Sequence, residues 1–125
     1  MIKDLYTSSG ALGAGTVNGL NTSYSLSAGT TSTSQAVGTT GVYQVLLDLT
    51  SISTSDVYLL ELYEKAHPNS AQVLMESWIY AFPIPKPLVM TPPLTLINGW
   101  DYRLYKLTGS TTTTLVTAFA VRQIS

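Results

Sequence analysis

The residues that could carry out acid–base or nucleophilic chemistry are few in this sequence. His67 is the only histidine, and it stands beside Pro68 in the segment HPNS, whose proline and asparagine are typical of a turn. A Ser-His-Asp triad needs a histidine placed between a serine and a carboxylate. We interpret His67 as a turn residue rather than as a general base. With one histidine and no cysteine, the sequence also predicts no structural zinc site.

Four carboxylates could supply the acid pair of a glycosidase: Glu61, Glu64, Glu76 and Asp101. The alternative is that they are the few charges that keep strand faces soluble, and we prefer it because the required carboxylate geometry cannot be seen in a sequence. The segment GAGTVNG at 13–19 has neither the glycine spacing of a dinucleotide-binding loop nor the lysine of a P-loop. We therefore predict no enzyme activity, no catalytic residues and no cofactor.

Aromatic residues are the remaining candidates for ligand binding, and they are Trp78, Tyr80, Trp100, Tyr102 and Tyr105. On one exposed surface they would stack against sugars. The alternative is packing in the core and between subunits, because Trp and Tyr combine a large apolar body with a polar tip. We favour packing and take Trp78, Tyr80 and Trp100 as candidate interface residues, while a glycan ligand stays open.

The elements that position these residues are built from a chain with little charge. Its 125 residues are enough for one domain, and 10% are charged where about 25% is typical. A net charge of -1 argues against binding to duplex nucleic acid, which depends on neutralising phosphates. Residues 5–47 carry no charge but are rich in Ser, Thr, Gly and Ala, so we predict no membrane span. The start MIKDLYT lacks the apolar stretch of a signal peptide, and the absence of cysteine fits a reducing cytosol.

A period of two dominates the chain beyond Gly41 and predicts strands. The segments GVYQVLLDL, VYLLELYEK (57–65) and QVLMESWIYAF (72–82) alternate in this way, and the turn HPNS joins the last two into a hairpin. Shorter strands are predicted at 21–27, 32–37 and 94–97, and longer ones at 100–107 and 113–124, with a turn at Asn98-Gly99. Five of the six prolines lie in 83–93, and because proline lacks an N–H this segment must be an edge or a crossover.

About eight short strands, with turn signals every 8 to 12 residues and no convincing helical period, indicate an all-β protein. We predict a two-sheet antiparallel β-sandwich, jelly-roll-like, with an extended N-terminal arm. The sandwich domain is expected over 20–125 and the arm over 1–19.

The arm is expected to make contacts with another molecule. Ordering the thirteen residues Thr7–Gly19 costs roughly 13 to 26 kcal/mol of backbone entropy, whereas burying Leu12 and Val17 returns roughly 3 to 6 kcal/mol. A partner would therefore hold this segment, with Ile2, Leu5 and Tyr6 as apolar anchors. The alternative is that the N-terminus packs along its own sandwich, as terminal strands often do.

Large apolar residues occur on both faces of the strands predicted at 57–65 and 72–82. A solitary sandwich has apolar residues inside and polar residues outside. We expect one sheet to pack against another protein. The candidate interface residues are Ile2, Leu5, Tyr6, Leu12, Val17, Trp78, Tyr80 and Trp100.

Most of residues 20–125 resembles a group of small proteins that tailed bacteriophages encode beside their head genes. The segments that carry the resemblance are TSYSL, GVYQVLLDLTSISTSDVYLLELYEK and TPPLTLINGWDYRLYKLTGS. The resemblance implies a virion-associated β-sandwich, with capsid decoration (cement) as its role, and it transfers no functional residues.

These observations lead to three hypotheses about function. The first is a non-enzymatic structural protein on the capsid surface, made in the host cytoplasm, whose partners are the major capsid protein and copies of itself, as a trimer. The second is a carbohydrate-binding module displayed on a virion or fibre. The third, which ranks last, is a small hydrolase.

Overall fold

The structure is a computed structural model that describes residues 2–8, 23–29, 34–50, 56–81, 84–108 and 118–125. Its described residues form nine strands and no helix. In chain order the strands are β1 (Lys3–Ser8), β2 (Tyr24–Ser25), β3 (Gly41–Asp48), β4 (Val57–Lys65), β5 (Gln72–Ala81), β6 (Leu88–Met90), β7 (Leu94–Leu96), β8 (Asp101–Thr108) and β9 (Ala118–Gln123).

Two antiparallel sheets pack face to face. Sheet one has the order β1-β9-β3-β6. β6 and β7 pair with the same side of β3, β6 with the end of that strand and β7 with its beginning. Sheet two has the order β2-β8-β4-β5. If β6 and β7 are counted as one interrupted strand, the eight positions follow the strand order of a jelly roll. The predicted all-β, two-sheet antiparallel sandwich is therefore confirmed.

The core lies between the sheets and follows the predicted alternation. Tyr58, Leu60 and Leu62 of β4 are fully buried. Sheet one contributes the buried alternate residues of β3 and the residue that follows the strand, namely Tyr43, Val45, Leu47 and Leu49. Side chains that alternate along a pleated strand point to opposite faces, so each strand supplies one apolar row to the core.

Prolines interrupt the edge formed by β6 and β7, as the sequence predicted. Pro92 and Pro93 separate the two strands and have no N–H for a ladder. Thr91 fills the gap, because the Val45 N–H donates to its Oγ1 at 2.9 Å and its own N–H donates to the Val45 carbonyl at 2.9 Å. The edge is thus hydrogen-bonded to β3 at Thr91 although the ladder is not continuous.

Two predicted strands are shorter where the structure describes them. Within residues 23–29 the strand expected at 21–27 is the two-residue β2, followed by a turn at 26–29, and within residues 34–37 Val37 alone makes a bridge, to Trp100. Of the strand expected at 113–124, Ala118–Gln123 forms β9, and 113–117 lies outside the described residues. A strand extends only as far as a neighbouring strand can pair with it, so local β propensity does not set its length.

The N-terminus contributes a strand to its own sandwich. β1 pairs antiparallel with β9, and Leu5 and Tyr6 are half-buried against the core. For residues 3–8 the structure therefore shows the alternative to an arm, in which the terminal segment packs as a strand of its own sandwich. The contacts with another molecule that were expected of residues 1–19 stay a prediction, and residues 9–22 lie outside the described part of the chain.

Candidate functional site

The four outer edges of the two sheets differ in how well they are protected against pairing with another chain. An unprotected edge strand presents free N–H and C=O groups, and proteins shield such strands by shortening them or by placing prolines and charges on them. β2 has two residues, β6 and β7 are separated by prolines, and β1 carries the ion pair of Asp4 with Arg122. β5 is neither short nor interrupted by proline, and its protection is limited to one charged residue and one β-bulge.

β5 forms the fourth edge and is the longest strand, with ten residues. It contains no proline and a single charge, Glu76, and none of its residues is fully buried. Among the described strands it pairs only with β4. Four apolar side chains on it are exposed, and we refer to them with the free side of the strand as the β5 edge: Val73, Leu74, Met75 and Ile79.

A β-bulge explains why apolar side chains of β5 point to both sides. Glu76 pairs with Leu62 and Leu74 pairs with Tyr63, so Met75 is an extra residue on β5. An extra residue reverses the alternation beyond it. Leu74 therefore lies on the outer face, as Ile79 does, although the two are separated by an odd number of positions.

The outer face of sheet two beside the β5 edge is apolar. Ile79 pairs with Leu59, which pairs with Tyr105, and Ala81 pairs with Val57. Leu59, Val57 and Tyr105 are only half-buried, and Ile79 is 65% exposed. An apolar row that continues across three strands on a solvent face is typical of a surface that contacts another protein.

The other half of the same face is polar and internally satisfied. Asp101 accepts hydrogen bonds from the hydroxyls of Ser25 (2.8 Å) and Ser27 (2.7 Å) and from Arg103 Nε (3.0 Å). The Arg103 guanidinium also donates to Gln72 Oε1 at 2.6 Å and lies 4.3 Å from the centre of the Tyr63 ring. The network fixes β8 against β2 and β5, which leaves the apolar half as the part of this face that is suited to a partner.

Burial raises the pKa of Asp101 above its ordinary value, and the hydrogen bonds from Ser27 and Ser25 and the charge and hydrogen bond of Arg103 oppose that rise. We had expected the carboxylates to keep strand faces soluble, and for Asp101 this is wrong, because the side chain is fully buried. Its role is to organise the polar network.

A second apolar surface lies on the outer face of sheet one. A depression of about 210 Å³ is lined by one charged residue, Asp48, and otherwise by the apolar residues Leu46, Leu88, Ala118, Phe119 and Ala120. Met90, opposite Leu46, and Leu88 are both more than half exposed. The sandwich therefore has apolar outer surfaces on both of its sheets.

The predicted aromatic residues do not share one surface. Trp100 is fully buried in the core, with its ring centre 4.3 Å from that of Tyr43 and its Nε1 donating to the Thr39 carbonyl at 2.9 Å. The expectation that Trp100 belongs to an interface is corrected, because its bridge to Val37 places it inside its own sandwich.

Trp78 and Tyr80 are half-buried against the core. Trp78 stacks on Tyr102 at 6.4 Å, so these rings do not form a flat platform for a sugar.

The other predicted interface residues are spread along the N-terminus. Ile2 is 66% exposed, whereas Leu5 and Tyr6 are half-buried. Leu12 and Val17 lie outside the described residues. The described candidates are therefore divided between the sheets, with Trp78 and Tyr80 on β5 of sheet two and Leu5 and Tyr6 on β1 of sheet one.

The residues considered for catalysis are separately engaged. Glu64 Oε2 accepts from the Ile97 and Asn98 N–H groups, and Glu61 accepts from the Tyr63 hydroxyl. His67 is exposed in the turn between β4 and β5, as predicted, where its Nδ1 accepts from the Asn69 N–H at 3.1 Å.

A cleft of about 550 Å³ lies between β1 and β2 at the open side of the sandwich. Its described lining contains no carboxylate, imidazole or amine, and consists of Leu5, Tyr6, Tyr24, Leu26, Ser27, Ala28, Gly29 and Phe119. Within the described residues no three His, Cys, Asp or Glu side chains come together to hold a metal ion. The same residues include no helix long and apolar enough to cross a membrane.

Comparison with known proteins finds no protein family, no curated protein and no solved structure that matches this chain.

The sequence predicted an apolar outer face but did not indicate that β5 would be the long edge strand beside it. A signal was present, since 72–81 contains no proline and one charge. Which strand becomes an edge depends on sheet order, and sheet order is set by contacts far apart in the chain.

Proposed function

We propose that this chain is a non-enzymatic structural protein of a bacteriophage particle, a capsid decoration protein that binds assembled capsid subunits and stabilises the head. The observation that carries the proposal is the long, proline-free β5 edge with its exposed apolar side chains, beside an apolar outer face. A strand with free N–H and C=O groups adds a neighbouring strand, and exposed apolar side chains beside it stabilise the contact. The resemblance to small phage virion proteins supports the same assignment.

Self-association belongs to the proposal, with a trimer as the oligomer. In a ring of three copies, a surface of one copy contacts a different surface of the next copy. The β5 edge is one of the two surfaces in this contact. The depression on sheet one, lined in part by Leu46 and Leu88, is the surface that contacts the capsid.

The first experiment asks whether the protein belongs to a particle. Phage particles from a host that carries the gene are purified by density gradient, and the copy number of the protein is measured by quantitative mass spectrometry. We expect the same copy number in every preparation, equal to a multiple of the number of equivalent sites that the capsid symmetry provides. Absence from purified particles would contradict the proposal.

The second experiment tests the β5 edge. Ile79→Lys places a charge on the apolar outer face beside the edge, at a side chain that is already exposed, so folding should be unchanged. We expect loss of binding to particles that lack the protein and a smaller oligomer in light scattering. Thr95→Lys is the matched control, since Thr95 is an exposed residue of the proline-interrupted edge. Equal loss in both variants, or in neither, would contradict a role for the β5 edge.

A further inference from the structure

A buried cluster of three ionisable side chains lies at one end of sheet two. Asp56 directly precedes β4, and Tyr58 of β4 is paired with Lys106 of β8. All three residues are fully buried. Neither the polar network around Asp101 nor the β5 edge includes them.

The Lys106 amine is poorly placed for a simple ion pair. Its Nζ lies 3.7 Å from Asp56 Oδ1, beyond hydrogen-bond distance, and within the described part of the chain it donates no hydrogen bond. A buried ammonium has three donors, and leaving them without acceptors is costly. The same protein contains a buried ion pair of the ordinary kind, in which Arg103 Nε donates to Asp101 Oδ2 at 3.0 Å. The contrast calls for a different explanation of Lys106 and Asp56.

We propose that the Lys106 amine and the Asp56 carboxyl group are joined by an intramolecular isopeptide bond. A proton passes from the ammonium to the carboxylate, which gives a neutral amine and a carboxylic acid. The Nζ lone pair attacks Asp56 Cγ and forms the C–N bond. The C–OH bond then breaks, and the hydroxyl leaves as water with a proton from the nitrogen. Amine and acid become amide and water, so the step needs no oxidant, reductant or further reactant.

Burial favours this condensation in two ways. Burial from solvent disfavours the separated charges of the ion pair relative to the neutral groups, and it limits the access of water that would hydrolyse the product. The amide keeps a single N–H donor in place of the three of the ammonium. The covalent product is therefore easier to accommodate in this core than the ion pair.

Tyr58 is assigned as a positioning residue for the step. Its hydroxyl is buried at the position across the strand pair from Lys106. Burial, and secondarily the negative charge of Asp56, raise the pKa of the Tyr58 hydroxyl, so it keeps its proton, and among the described residues it makes no hydrogen bond. A protonated hydroxyl whose donor is unused is available to orient the carboxyl oxygen that leaves as water.

The bond would tie the beginning of β4 to the end of β8, the two central strands of sheet two. A cross-link between distant positions of a chain restricts the unfolded state and so resists unfolding. This inference does not depend on the proposed function, because it concerns the folded chain alone.

The decisive measurement is the intact mass of the unmodified full-length protein under denaturing conditions. We expect a mass lower than the sequence mass by one water molecule, and a branched peptide containing Asp56 and Lys106 after proteolysis. A mass equal to the sequence mass would overturn the proposal. No variant needs to fold for this result.

Variants then assign the atoms. Lys106→Arg keeps the charge but removes the primary amine, so the mass deficit should disappear, whereas Lys65→Arg on β4, the matched control, should keep it. Asp56→Asn should form the same bond with loss of ammonia instead of water. A deficit that persists in Lys106→Arg would overturn the assignment to Lys106. Tyr58→Phe should slow the appearance of the deficit after refolding at least tenfold, and an unchanged rate would remove Tyr58 from the step.

Discussion

Asp101 illustrates how one residue can organise a face of the molecule. Residues on the outer face of a sheet are usually in water, yet the turn that carries Ser25 and Ser27 covers this carboxylate completely. A buried carboxylate is tolerated when hydrogen bonds and an opposite charge offset its desolvation. Arg103 supplies the charge, and two serine hydroxyls supply the remaining bonds.

The raised pKa of Asp101 predicts a dependence of stability on pH. Because the pKa is higher in the folded state, the folded protein binds more protons, and the contribution of Asp101 to stability is fully present below its ordinary pKa. It is lost as pH rises through the raised folded value. We expect the difference in free energy of unfolding between wild type and Asp101→Asn, measured by urea titration from about pH 3 to about pH 7, to shrink as pH rises.

The control for this prediction is Asp4→Asn, which alters the partly exposed pair with Arg122 and should cost about 1 kcal/mol or less. If the difference in free energy of unfolding between wild type and Asp101→Asn grows as pH rises, the hydrogen bonds and charge around Asp101 lower its pKa by more than burial raises it, and the prediction is wrong.

Gly99 is a residue whose backbone requires glycine. Its φ is +52°, and a Cβ there would lie 2.8 Å from Lys65 Cδ. An L-residue in this region is strained, so Gly99→Ala should lower the free energy of unfolding by about 1 to 2 kcal/mol, measured by thermal or urea denaturation. Gly38→Ala is the matched control, since a Cβ there meets no atom within 4 Å. Similar losses in both variants would show that the turn does not constrain Gly99.

At the scale of elements, the residues in and beside β1 allow packing within the chain to be tested separately from contacts with a partner. The Tyr6 ring meets Trp100 edge to face at 6.4 Å, so Tyr6→Ala should destabilise the sandwich by about 1 to 3 kcal/mol. Ile2 is exposed, and Ile2→Ala should leave stability within about 0.5 kcal/mol of wild type. Both values are measured by urea denaturation. If Tyr6→Ala is as stable as wild type, β1 does not belong to the core in solution.

At the scale of the whole molecule, two largely apolar outer surfaces and a long edge strand with a single charge are costly for a solitary protein. A ligand that binds only the assembled capsid stabilises that state by mass action. We therefore expect capsids that carry the protein to fail at a higher temperature or chaotrope concentration than capsids that lack it, measured by release of DNA. Ile79→Lys should abolish the gain, and Thr95→Lys should retain it. Equal robustness with and without the protein would contradict the decoration role.

The sequence by itself determined the elements. Period-two alternation located β3, β4 and β5, and the HPNS turn joined β4 to β5. The prolines of 83–93 predicted an edge or a crossover, and β6 and β7 show an edge within the described residues. These signals depend on the local geometry of the backbone. The sum of such strands predicted a sandwich.

Only the tertiary structure decided the sheet order, and with it the environment of each residue. Trp100 and Trp78 were both candidate interface residues, yet Trp100, directly before the central strand β8 and bridged to Val37, is completely buried, while Trp78 on the edge strand β5 is half-buried. The same order leaves Ile79 in solvent and encloses Asp101 and Lys106. Pairing between distant strands sets these environments, and a local pattern contains no information about which strands will be neighbours.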